Sequence, residues 1–337
     1  LILHNEQVGR LGHSSPKLKI ITTEIDTKNL SPSQVVVRNE LSSINFKDKL
    51  LWLSTGTFGR HEFQAVGFDG VGSVVFSGGS SSHTVGSKVI FFGSDEHRSE
   101  QAGLQTYSVH DSDLLYPLGS MSPITAIKLG VPGFTALRAL QIALEQAKQS
   151  MRILILGSSG GVGSNALNFF CSFFSLVQGI NISREINKSS EAGRAIFAMP
   201  ESQLMPGRWD FIFDTLGGPI LGAAIRFVKQ DGVLVSSGNV LGNFSTVPLA
   251  PFYSRNVRIL GLNLRSDAER HFTDILKIAS RPEIQKIVSE TPAEFLNFDA
   301  VAQHLSAKNS PSGTRKLIRV NEFLRGEANS NNAESHA

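Results

Sequence analysis

One cysteine, Cys171, stands alone among 337 residues, so the chain forms no internal disulfide and no zinc site built from clustered thiolates. That scarcity fits a reducing compartment. Long apolar stretches are missing too: no run of about 18 apolar residues occurs, and no membrane span is expected. Neither sign of charge dominates. Lys and Arg number 32 against 29 Asp and Glu, a net charge of +3, and the basic residues form no stripe or tail, so a nucleic-acid partner is not expected. So small an excess remains compatible with an anionic small substrate.

What is present is the composition of a globular protein, 41% hydrophobic and 18% charged. The length exceeds the usual reach of one hydrophobic core, so two domains are expected. The chain opens with LILHNEQVGR, without an initiator Met; a cytoplasmic location is expected, with organellar targeting left open. Residues 324–337 are polar and poor in bulky apolar groups, and are read as a disordered tail.

Residues 1–122 are strand-like. QVVVRNELSSIN, GFDGVGSVVFSGG and SKVIFFG are apolar or alternating runs separated by Gly and Ser turns, a pattern that predicts a partly closed β domain. From Pro123 the character changes. ITAIKLGVPGFTALRALQIALEQAK has apolar residues at helical spacing interrupted by Gly130, Pro132 and Gly133, which predicts two helices around a tight turn. Strand MRILILG, helix NALNFFCSFFSL, strand SLVQGINIS, strand WDFIFDTLGG, helix PILGAAIRFV and strand DGVLVSSGN follow. That alternation predicts a parallel sheet covered on both faces, spanning 123–262. Helices DAERHFTDILKIAS and NFDAVAQHLSA and strand KLIRV are expected to return, over 263–323, to the first domain.

The turn GSSGGVG, Gly157 to Gly163, joins the first of these strands to its helix. Gly160 and Gly161 allow a backbone to approach a pyrophosphate, Gly163 allows close helix–sheet packing, and the helix's first amides face the phosphates. Nucleotide binding is the functional reading; a purely structural turn is the other. A carboxylate selecting the ribose hydroxyls of NAD is sought about 20 residues further on. There the chain has Ser183, Arg184 and Glu185. The guanidinium of Arg184 can pair with a 2′-phosphate and Ser183 can add a hydrogen bond, which favours NADPH; a solvated surface arginine is the alternative. Asp48 and Asn45 also admit a plain reading, as an N-capping turn ahead of KLLWL.

In order along the chain, SSINFKD (42–48), GFDGVGSV (67–74), GFTAL (133–137), LGSSGGVGS (156–164), DTLGG (214–218) and SRNVRILG (254–261) resemble the motifs of the zinc-free medium-chain dehydrogenase/reductase superfamily. Within it the YhdH-like quinone oxidoreductase and acrylyl-CoA reductase group is the most similar. The resemblance implies an α/β chain in which a GroES-like, β-rich catalytic domain is interrupted by a Rossmann-type doubly wound parallel-sheet domain. It also implies a homodimer, no metal, and hydride transfer from NADPH to an enone, enoyl thioester or quinone. Ser159, Gly160, Gly161 and Val162 would hold the pyrophosphate. Ser183, Arg184 and Lys188 would hold the adenosine phosphate, and Thr135 would face the cofactor. The DTLGG turn with Leu216, and SSGN with Gly238 and Asn239, would lie beside the nicotinamide, where the carboxyl ends of parallel strands independently place a ligand. Asn45, Phe46 and Asp48 would be the catalytic-domain residues, Asn45 donating to the substrate carbonyl and Asp48 holding Lys47 or the loop.

Two departures stand out. Phe46 occupies a position that is usually Tyr in this group, so one hydroxyl is missing. The segment from Arg184 to Arg208 is shorter than usual, though long enough for a crossover of about ten residues. Tyr253 is a candidate proton donor. Arg255, Arg258 and Arg265 would suit a CoA thioester, and a non-catalytic NADPH-binding protein is a third reading. Cys171 is expected to be a buried small hydrophobe.

Overall fold

The computed structural model describes residues 1–11, 17–53, 63–93, 99–146, 150–180, 206–307 and 314–324. The chain forms two compact units, one from Leu1–Val131 and Val288–Ala337, the other from Pro132–Ile287.

The first unit begins with strands β1 (Ile2–Leu11), β2 (Lys17–Asp26), β3 (Gln34–Ser43), β4 (Phe63–Ala65), β5 (Asp69–Ser77), β6 (Lys88–Phe92), β7 (Tyr107–Asp111) and β8 (Leu115–Pro117), with helix α1 (Phe46–Trp52) after β3. Helix α2 (Pro123–Glu145) carries the chain onward and is broken at Gly130, as the Gly and Pro spacing predicts. Its length and hydropathy would let it cross a membrane, yet 83% of that window is buried inside the protein.

The second unit holds a parallel sheet of β9 (Arg152–Leu156), β10 (Leu176–Ile180), β11 (Trp209–Asp214), β12 (Val228–Ser236) and β13 (Arg258–Gly261), in the spatial order β10-β9-β11-β12-β13. Its strands read as near-continuous apolar runs because both faces are covered. Phe211 and Phe213 are fully buried, as are Ile153 and Ile155. Helices α3 (Gly161–Cys171), α4 (Gly218–Ala224), α5 (Leu249–Ser254) and α6 (Leu264–Ala279) accompany it. Helix α7 (Pro282–Glu290) then leads back to the first unit, where β14 (Ala293–Phe295), α8 (Phe298–Ser306) and β15 (Arg315–Arg319) complete a sheet ordered β14-β15-β3-β5-β6-β8, with β7 also on β3. A separate ladder, β2-β1-β4, carries the N-terminal hairpin. Leu51, Trp52, Val301, Leu305 and Ile318 share one core of this unit.

Three expectations change. The chain was expected to return to the first domain at residue 263, but α6 belongs to the second unit. Phe272 packs on Phe134 with ring centroids 5.4 Å apart, and Asp267 lies 3.9 Å from Arg138. Helix α3 stops at Cys171, and Leu176 already belongs to β10. Cys171 itself is exposed: Phe169 and Phe170 turn to the sheet, and a residue about 100° further round the helix faces outward. The tail lies outside the described residues from position 325 on.

Candidate functional site

In the second unit the strand order reverses between β9 and β11: the chain leaves β9 for β10 on one side and comes back as β11 on the other. Ligands of such sheets sit at the carboxyl ends of the strands at this switch. Here the β9 strand runs into the glycine turn. Gly157 has φ +82°, and a Cβ there would lie 2.4 Å from Thr215 Oγ1. A Cβ on Gly163 would meet the Gly157 carbonyl oxygen at 2.2 Å. Packing within the protein therefore demands glycine at both positions.

Gly160 and Gly161 are different. A Cβ on Gly160 would meet nothing closer than the Gly157 oxygen at 3.4 Å, and one on Gly161 nothing closer than Pro132 at 3.6 Å. The fold could hold alanine there, so packing within the protein does not account for these two glycines, and they leave room for close approach of a ligand. Gly160 is the N-cap of α3, and its carbonyl accepts the Ser164 amide at 2.8 Å. The first-turn amides of a helix have no partner within it and carry the positive end of its dipole, a natural anion seat. The chain offers Ser159, Gly160, Gly161 and Val162 at this place, and their arrangement fits a pyrophosphate. The turn is anchored from below: the Gly157 and Ser158 amides donate to the Ile180 carbonyl at 2.9 and 3.1 Å.

The neighbouring strand end is stitched to it. Thr215 Oγ1 donates to the Leu156 carbonyl at 2.8 Å. Asp214, fully buried, accepts the amides of Leu216 at 3.0 Å and Gly217 at 3.1 Å and the hydroxyl of Ser236 at 2.9 Å. Burial pushes its carboxyl upward against these three donors. The Leu241 amide donates to the Leu216 carbonyl at 2.9 Å. A Cβ on Gly238 would meet the Thr215 carbonyl oxygen at 2.1 Å, and exposed Asn239 donates to Asn243 at 2.6 Å. Thus Leu216 packs on Gly157 of the glycine turn, and Gly238 lies against Thr215 beside it. Thr135 is buried on α2. Ser183, Arg184 and Lys188 lie outside the described residues.

In the first unit the SSINFKD motif ends β3 and opens α1. Asp48 is fully buried. Its carboxylate accepts the Asn45 amide at 2.8 Å and the Gly67 amide at 2.7 Å. The first bond is the carboxylate half of a capping box, so the N-capping reading holds. The second ties the turn to the GFDGVGSV segment. Burial pushes the Asp48 carboxyl up to about 7, with the backbone amides pulling the other way. Asn45 is engaged at both ends of its carboxamide: Nδ2 donates to the Ser43 carbonyl at 3.3 Å and to Ser43 Oγ at 3.2 Å, and Oδ1 accepts from Arg315 at 3.4 Å. Phe46 is 42% exposed, and Lys47 lies over the Phe68 ring at 5.8 Å.

Arg315 and Asp69 were not singled out from the sequence, and both are central to this cluster. Arg315 is buried and donates to Ser43 Oγ at 2.7 Å; burial lowers its pKa, while Asp69 and Asp48 raise it. Its strand reads RKLIR, so nothing in the sequence separates Arg315 from the basic Lys316 and Arg319. The other arginines considered for a thioester partner are tied down or at the surface: Arg255 donates to the Arg226 carbonyl at 2.7 Å and Arg258 to Gln146. Tyr253 is 71% exposed. Among the described residues no three His, Cys, Asp or Glu side chains converge as a metal site would.

No family model matches the chain. It is 26% identical over 308 residues to the Escherichia coli protein named "Probable acrylyl-CoA reductase AcuI", covering 87% of this chain and 90% of that one. It is 26% identical over 251 residues to YhfP of Bacillus subtilis, 71% of this chain and 76% of the relative. The crystal structure of YhfP with NAD bound superposes with a TM-score of 0.71 at 21% identity, covering 94% and 99% of the two chains. That of the YhdH oxidoreductase of Salmonella enterica in complex with NADP does so with a TM-score of 0.71 at 21% identity, covering 93% and 99%.

Proposed function

We propose that the chain, similar over most of its length to AcuI and YhfP, is a member of the medium-chain dehydrogenase/reductase superfamily and a zinc-independent oxidoreductase transferring a hydride from NADPH to the activated double bond of an enone or quinone. One observation carries the cofactor part: Gly157 and Gly163 are demanded by the protein's own packing, whereas Gly160 and Gly161 are not and stand bare at a helix N-terminus. Amides of Ser159, Gly160, Gly161 and Val162 would receive the pyrophosphate, while Leu216, Gly238 and Asn239 would flank the nicotinamide. Bound there, NADPH would supply the hydride, the one piece of chemistry side chains cannot provide.

The chain's own contribution is placement, exclusion of water and stabilisation of the negative charge that develops on the acceptor's conjugated oxygen. Asn45 Nδ2 is the proposed donor, exchanging its long contacts to Ser43 for that oxygen. Asp48 does not reach substrate in this reading; its carboxylate holds the turn that presents Asn45. The choice of NADPH over NADH rests on Ser183 and Arg184 in the sequence, since the two bound relatives differ, one with NADP and one with NAD.

A second reading, reduction of a 2-enoyl-CoA, is supported by the similarity to AcuI over 87% of the chain. A panel of 1,4-benzoquinone, a short enone and acrylyl-CoA, followed by loss of NADPH absorbance, tests both. Turnover of the first two supports the main reading, and turnover of the thioester alone supports the second. Tight NADPH binding with no oxidation across the panel would leave a binding protein without catalysis. The homodimer expected from the family resemblance is tested by light scattering on the eluting protein.

A further inference from the structure

Arg315 opens β15, yet its guanidinium donates hydrogen bonds to two other stretches of the first unit. Nε donates to the Lys128 carbonyl at 3.0 Å, and Nη2 donates to the Ile127 carbonyl at 3.4 Å as well as to Ser43. Nη1 reaches Asn45 Oδ1, 270 residues away in sequence. Ile127 and Lys128 lie in the last turn before the break in α2, where Gly130 takes φ 49°, ψ −162°. A buried cation at a helix C-terminus is favoured by the dipole.

Asp69 does the complementary work on the far side of the break. It is fully buried and lies 3.8 Å from Arg315. Oδ2 accepts the amide of Val131, the first residue after the break, at 2.9 Å. Oδ1 accepts the Ser43 amide at 3.2 Å and the Ser43 hydroxyl at 2.6 Å. Gly130 is held between the two charges: a Cβ there would lie 2.5 Å from both Asp69 Oδ2 and Arg315 Nη2. Val131 is the last residue of the first unit before the chain passes into the second. A buried ion pair is poor evidence of stabilisation, because apolar residues of equal volume often replace one without loss. Each partner here also satisfies backbone groups that an apolar pair would strand.

We propose that Arg315 and Asp69 are positioning residues that fix two things together within the first unit: the orientation of the Asn45 carboxamide, and the backbone conformation of the break at Gly130. The catalytic consequence rests on the function proposed above; the geometric part does not.

The test uses the full chain with Arg315→Met, Arg315→Lys and Asp69→Asn, each followed by amide hydrogen exchange and by NADPH oxidation with 1,4-benzoquinone. Exchange at Ser43, Asn45 and Val131 is expected to rise about tenfold in Arg315→Met and Asp69→Asn, with Val36 and Val37 in the middle of β3 unchanged. Arg315→Lys is expected to fall between wild type and Arg315→Met. Turnover is expected to fall about tenfold in kcat with KM for NADPH unchanged, because Asn45 is displaced and the nucleotide seat is not. Unchanged exchange at those three amides, or an equal rise at Val36 and Val37, overturns the proposal. If Arg315→Met does not fold, Arg315→Lys and Asp69→Asn decide by the same exchange pattern. Wild-type protein that oxidises no NADPH would count against the proposed function, and the exchange pattern would still decide the role of the pair.

Discussion

The Gly67 amide donates to the buried carboxylate of Asp48 at 2.7 Å, joining the turn that opens α1 to the approach of β5. The same carboxyl is pushed up to about 7 by burial, against an ordinary value near 3.8 in the unfolded chain. Its folded-state pKa is raised, so the native protein holds a proton there that the unfolded chain releases between these two values. Stability from this group is fully present at the acid end and is lost as pH rises through about 7. Urea midpoints of the wild type are therefore expected to fall between pH 5 and pH 8 by more than those of Asp48→Asn, which cannot titrate. Equal slopes for the two proteins would contradict this.

The glycines of the 157–163 turn separate by role. Gly163→Ala forces a Cβ to 2.2 Å from the Gly157 oxygen and is expected to destabilise the protein by roughly 1–3 kcal/mol. Gly161→Ala meets only ordinary contact with Pro132; it should melt near wild type while weakening NADPH binding about tenfold, some 1.4 kcal/mol. Thermal denaturation and fluorescence titration measure the two effects separately. Loss of stability without loss of affinity in Gly161→Ala would reverse the assignment.

Asp214 holds the strand ends beside this turn through three donors. Asp214→Ala leaves buried amides without acceptors and is expected to cost roughly 2–4 kcal/mol by chemical denaturation. Asp214→Asn keeps one acceptor and should lose less.

The parallel sheet and its glycine turn were legible because the signals are local: an apolar strand, a glycine cluster and an apolar helix in succession. The break at Gly130 was legible for the same reason. The assignment of α6 to the second unit was not, since it depends on Phe272 meeting Phe134 across more than a hundred residues of chain. Helix α7 was overlooked although Pro282 stands at its first position, where proline commonly starts a helix. The sequence marks Asp48 but not its use, which the structure shows to be a cap and a cross-link. Arg315 and Asp69 were invisible because their partners come from distant stretches of sequence. Cys171 was placed on the wrong side of α3 because its apolar neighbours were read as surrounding it.

Phe46 is 42% exposed at the start of α1, so adding a hydroxyl should not disturb packing. Phe46→Tyr is expected to change stability by no more than about 0.5 kcal/mol and to raise kcat for an enone acceptor. An unchanged or lower kcat would show that the missing hydroxyl is not what separates this chain from its relatives.

Calorimetric titration of the wild-type protein and Arg184→Ala with NADPH and with NADH tests the central claim most directly. The wild type should bind NADPH more tightly than NADH, and Arg184→Ala should erase most of that preference while leaving NADH affinity unchanged. Equal affinity of the wild type for the two dinucleotides, or no binding of either, would contradict the account.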